Sequence, residues 1–115
     1  ATSIIFDEID TGVSGRVSQR MAEKMYQLGV GSQVLCISHL PQTTALADTN
    51  LLISKEIIDK RTLTVIRELT EEQKIAEVAR MISGDTMTKL SEEHSIEMLR
   101  LAEKIKEEIK EKLNK

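Results

Sequence analysis

Two short apolar runs, "SIIF" at Ser3 to Phe6 and "QVLCI" at Gln33 to Ile37, stand on either side of one amphipathic stretch. Between them Val17, Met21, Met25 and Leu28 recur at helical spacing, which makes one apolar helix face. A strand, a helix and a strand joined by such short connections form a βαβ unit. The two strands are then parallel and the crossover right-handed. The β-branched run at Ser3 to Phe6 is expected to be covered on both faces, as in parallel sheets. Gly12 and Gly15 bracket the turn after it, Ser14 offers an N-cap, and Gly29 with Gly31 is expected to end the helix.

Pro41 suits the first turn of a short helix reaching about Asp48. "NLLISKEI" and "RTLTVIREL" follow, parted by Asp59 and Lys60, and read as an antiparallel hairpin or sheet edge. Leu63, Val65 and Leu69 would form its apolar face, which Arg67 interrupts. "TEEQ" from Thr70 is a capping box opening a helix whose buried face is Ile75, Val78, Ala79 and Ile82, ended by Gly84. Ser91 is expected to begin the last helix. Its stripe is Met98, Leu101, Ala102, Ile105, Ile109 and Leu113. The fold class is therefore α/β: a parallel βαβ core, an antiparallel edge hairpin and two C-terminal helices.

With 115 residues the chain can bury one small core, and with one Phe and one Tyr that core must be aliphatic and Met-filled. A formal net charge of −3 gives no overall basic footprint for nucleic acid. Cys36 is the single cysteine, so no internal disulfide can form, and its apolar run marks a buried small hydrophobe. No signal peptide or apolar run of membrane-spanning length is present, and the expected location is the cytoplasm. Entry into a buried-type strand within two residues of Ala1 suggests a piece of a larger protein.

The first strand ends in carboxylates, "FDEID". Open α/β sheets place ligands at the carboxyl ends of their strands. There Asp7 can hold Mg²⁺, often through water, while Glu8 polarises an attacking water. Apolar residues followed by Asp-Glu have the Walker B form. "CISHLPQ" places His39 just past the end of the second strand, within reach of the same region. An imidazole there can hydrogen-bond a terminal phosphate.

"SIIFDEIDTGVSGRVSQRMAEKM" followed by "QVLCISHLPQTTALAD" resembles the C-terminal part of the ATPase head of the RecN family. These are ABC-type, P-loop ATPases related to structural-maintenance-of-chromosomes proteins and acting in DNA double-strand break repair and recombination. The resemblance implies that residues 1–115 are the C-terminal lobe of one such head, and that ATP and Mg²⁺ are its cofactors. It implies Asp7 as the metal-holding acid, Glu8 as the catalytic carboxylate and His39 as the switch histidine on the γ-phosphate. Asp10, Thr11, Gly12 and Ser14 would belong to the D-loop along the interface between two heads. Val13-Ser14 stands where many ABC members have Leu-Asp. The implied partners are the upstream half of the same head, a second head in a homodimer, and DNA through the whole protein.

No G-x-x-x-x-G-K-[ST] phosphate loop, no LSGG-type signature and no long coiled coil occurs in the chain. It is accordingly expected to hydrolyse no ATP alone, and its uncovered sheet is expected to pair between copies. Two other classes stay open: a non-catalytic dimerisation module, and a carboxylate Mg²⁺ site of a phosphatase-like or phosphoacceptor domain using Asp7, Glu8 and Asp10. His94 has no second ligand at metal-binding spacing. Arg16, Arg20 and Lys24 recur at four-residue steps, as phosphate contacts or as a solvated face near Glu23. Ser38 and His39 are adjacent on an extended chain and point apart, which disfavours a nucleophilic dyad.

Overall fold

A computed structural model describes residues 3–8, 12–84 and 86–114. The element order is β1 (Ser3–Asp7), α1 (Gly15–Gly31), β2 (Gln33–Ile37), α2 (Pro41–Leu46), β3 (Leu51–Ile58), β4 (Arg61–Glu68), α3 (Glu71–Ser83) and α4 (Lys89–Leu113). β1 and β2 pair in parallel, Ser3 opposite Gln33 through Asp7 opposite Ile37. The βαβ unit is therefore present as expected. β3 and β4 form a separate antiparallel ribbon rather than an edge of the parallel sheet.

The inner face of the parallel pair, Phe6, Val34 and Cys36, packs on a core of Ala22, Met25, Ala45, Leu46 and Ala102. Met98, Leu99 and Ile105 of α4 close it from the other side. Small residues let α1, α2 and α4 approach closely, and one of them, Ala22, replaces the larger face expected from periodicity. Val17 and Leu28 are exposed, and the buried line of α1 is Ser18, Ala22 and Met25. The Ser18 hydroxyl donates to the Gly15 carbonyl within its own helix, so its polar atom is satisfied in the core.

The outer face of the pair does not match the expectation of two-sided cover. Ile5, Leu35 and Ile37 share it and are 68%, 50% and 43% exposed. Among the described residues no helix covers that side. α1 also runs through Gly29 to Gly31, and Ser32 closes it by donating its N–H to the Leu28 carbonyl.

Asp59 and Lys60 join β3 to β4 with φ of +49° and +65°. Two positive φ values are what a type I′ hairpin turn requires, and they fix the register through Ile53 opposite Ile66. Leu51, Ile53, Ile57 and Ile66 lie on one ribbon face and are exposed. On the other face Arg67 bonds Glu56 at 2.8 Å, which explains the interruption of the apolar pattern there. Leu63 is exposed and only Val65 of β4 is half-buried, so the expected apolar stripe is not a buried one. Leu52 and Leu69 meet α3 at the ribbon's base, and the remainder stands clear of the body. The resulting radius of gyration is 15.2 Å, against about 13 Å for a compact domain of this length.

Both long C-terminal helices start from capping boxes. Thr70 accepts from the Gln73 N–H at 3.2 Å, and its own N–H donates to the Gln73 side chain at 2.9 Å. α4 opens two residues before the expected point. Thr88 is its cap and Ser91 is the third helical residue, returning the second bond of the box. Gly84, at φ +100°, ends α3 as expected. The buried line of α4 is Ser91, Ser95, Ala102, Lys106 and Ile109, while Leu101 and Leu113 are exposed. Ser95 donates to the Ile75 carbonyl at 2.7 Å and locks α4 to α3.

Lys106 is 4% exposed. Its ammonium reaches Glu103 at 2.8 Å and Asp48 at 3.3 Å, with the Tyr26 ring centroid 5.8 Å away. Tyr26 donates to Asp48, so α1, the turn after α2 and α4 meet at one charged node.

Candidate active site

The strand pairing brings the acidic end of β1 and the histidine after β2 to the same edge. Asp7, the last residue of β1, lies opposite Ile37, the last of β2. One residue further, the Glu8 N–H donates to the Ile37 carbonyl at 2.8 Å, holding that turn against β2. The Glu8 backbone has φ +51°, a left-handed conformation that costs a non-glycine residue of order 1–3 kcal/mol. Such conformations gather at functional sites, where the surrounding fold holds them in place.

Glu8 Oε1 stands 3.6 Å from His39 Nδ1. Both side chains remain more than half exposed, so the pair opens to solvent. His39 is followed by Leu40, the cap position of α2, with Pro41 at its first turn. The Ser38 hydroxyl oxygen accepts from the Leu40 N–H at 3.1 Å. That bond turns the chain between β2 and α2.

Ser14 caps α1 by accepting the Val17 N–H at 3.3 Å. A side chain on Gly15 would sit 3.5 Å from Gln42 Nε2, so the start of α1 rests beside the start of α2. Gly12 takes φ +80°, a conformation for which glycine is suited. The structure thus brings Asp7, Glu8 and His39 to one sheet end and the Gly12–Ser14 turn into the same connection. Asp10 and Thr11 lie outside the described residues.

Hard oxygen donors on a strand end suit Mg²⁺, which commonly takes one or two carboxylates and keeps water and phosphate oxygens for the rest. Asp7 fits that donor chemistry. Among the described residues no group of three or more His, Cys, Asp or Glu side chains gathers into a metal cage. His94 lies on an exposed helix face at the rim of a cavity of about 370 Å³ between α1, α2 and α4. Among the described residues no helix is long and apolar enough to cross a membrane.

No protein-family model matches the chain. Curated proteins do match it. The DNA repair protein RecN of Halalkalibacterium halodurans is 59% identical over 105 residues, covering 91% of this chain and 19% of that protein. RecN of Bacillus subtilis is 54% identical over 105 residues, covering 91% and 18%. Over the stretch it shares with them, the chain belongs to the RecN family. RecN of Deinococcus radiodurans is more distant, 37% identical over 97 residues, covering 84% of this chain and 17% of that protein. The chain spans about a fifth of the length of the RecN relatives it matches. Sequence reasoning found the acid–histidine pair, and missed the buried lysine node because its signal, a Lys at a core position of α4, reads as part of a solvated Lys/Glu face.

Proposed function

We propose that this chain is the water-activating part of a RecN-type, ABC-like ATPase head that serves DNA double-strand break repair and recombination. The observation that carries the reading is the Glu8–His39 approach at the carboxyl ends of two parallel strands. Glu8 orients the water that attacks the γ-phosphate of ATP. His39 hydrogen-bonds that phosphate and fixes its position against the water. Asp7 holds Mg²⁺, which when bound neutralises charge on the phosphate oxygens. Asp10, Thr11, Gly12 and Ser14 serve, on this reading, as the D-loop that meets a second head.

Catalysis of this kind is positioning and electrostatics, so it needs the phosphate-gripping loop that this chain does not contain. The 115-residue chain alone is therefore inactive. Its open face of Ile5, Leu35 and Ile37 supports a role as one part of a larger sheet, with the upstream half of the head against it. The test is ATP hydrolysis by the full-length protein that carries this chain. Wild type turns over, while Glu8→Gln and His39→Ala bind ATP and stall. Variants as fast as wild type make Glu8 and His39 structural and end the reading.

A further inference from the structure

We infer that the outward face of α1, presented by Arg16, Arg20 and Lys24, is a contact for the phosphodiester backbone of DNA. The inference rests on the DNA-repair reading above and extends it to a surface. α1 buries Ser18, Ala22 and Met25, and the three cations occupy the opposite, exposed side. Successive members are four residues apart, so they climb the helix in steps of about 6 Å and drift slowly round it. A duplex laid along that line presents about seven phosphate charges over the same length.

The charge of this face is not cancelled locally. α1 contains one carboxylate, Glu23, and its side chain accepts a hydrogen bond from Gln19 at 3.0 Å. Both residues turn toward the cavity shared with α2 and α4. Among the described residues none of the three cations takes part in an ion pair. Arg80 and Arg100, by contrast, are each paired to a glutamate of their own helix. In a chain of net charge −3, three free cations in a row are a segregated positive strip. Arginine forks and a lysine point charge suit phosphate oxygens, and no base-reading geometry is involved, so the contact is independent of DNA sequence.

The test uses the full-length protein that carries this chain and measures binding to a random-sequence duplex across a salt series. Each lost phosphate contact lowers the slope of log affinity against log salt by about 0.9 on duplex and about 0.7 on single strand. Arg16→Gln, Arg20→Gln and Lys24→Gln together are expected to weaken binding and flatten the duplex slope by about two to three. ATP hydrolysis without DNA stays at the wild-type rate. The same charge change at Lys60, Lys104 and Lys112 leaves the slope as in wild type. An unchanged slope in the α1 triple variant, or an equal fall in the control triple, overturns the assignment while the repair ATPase reading stands. Weakened binding to anionic phosphatidylserine vesicles with DNA binding intact also overturns it. A wild type with no salt-dependent DNA binding removes both.

Discussion

His39 Nδ1 lies 3.6 Å from Glu8 Oε1 because β1 and β2 are parallel and in register to their last residues. The two groups leave neighbouring strand ends in the same direction. An antiparallel pair would have sent them to opposite edges of the sheet. The connection through α1 is thus what assembles the site.

On the proposed reading the two side chains act on one phosphate and one water, so their losses are expected not to add. In the full-length protein Glu8→Gln lowers kcat by about 100- to 10,000-fold, the usual range for a positioned proton acceptor. His39→Ala on that background is expected to cost much less than on wild type. Full additivity in single-turnover hydrolysis would show that the two residues work independently.

The open face predicts a contrast between the isolated chain and the whole protein. Ile5 is 68% exposed in this chain, so Ile5→Ser is expected to change its unfolding free energy in urea by no more than about 0.5 kcal/mol. In the full-length protein the same change should cost about 1.5–3 kcal/mol, the worth of a buried Ile. Equal small effects in both would mean that nothing covers this face.

Lys106 predicts an inversion of the usual rule that removing a charge from a pair is the damaging step. Its partners Asp48 and Glu103 are about two-thirds exposed, while its own side chain is 5% exposed. Lys106→Met strands no buried charge, and chemical denaturation should register a loss within about 1 kcal/mol. Asp48→Ala with Glu103→Ala leaves the ammonium unpaired in the core and should cost about 3 kcal/mol. The prediction fails if the lysine variant is the weaker of the two.

Burial pushes the Lys74 ammonium below the ordinary lysine value of 10.5, with Lys106 adding repulsion. A cation whose folded pKa is lowered destabilises the fold while it stays charged, and the penalty fades as pH rises toward the unfolded value. Wild type should therefore gain stability relative to Lys74→Met as pH rises through the range just below 10.5. The hydrogen bond from Lys74 to the Ala47 carbonyl, 2.8 Å long, works the other way and offsets the penalty in part. A stability difference flat across that pH range would rule the linkage out.

The elements of this fold were legible where a single local rule decides. The capping box at Thr70, the turn at Asp59-Lys60 and the strand–helix–strand spacing each carry their own physics. What periodicity could not supply was which side of an element meets another. Val17 and Leu28 fit the α1 stripe, yet small Ser18 and Ala22 sit at the contact, where close approach matters more than size. Ser91 reads as the start of the helix because Glu92 and Glu93 follow it, but Thr88 caps the helix three residues earlier by accepting the Ser91 N–H. At the candidate site the residue types were readable and the Glu8–His39 approach followed from topology, whereas the left-handed backbone at Glu8 has no signature in a glutamate.

That backbone sets stability and chemistry against each other at one position. Glycine or asparagine accepts φ +51° with less strain than glutamate. Glu8→Asn should therefore make the chain fold somewhat more firmly while removing the carboxylate from the site. Selection in the laboratory for heat resistance alone would tend to drift away from glutamate here. Selection for ATP turnover would bring it back.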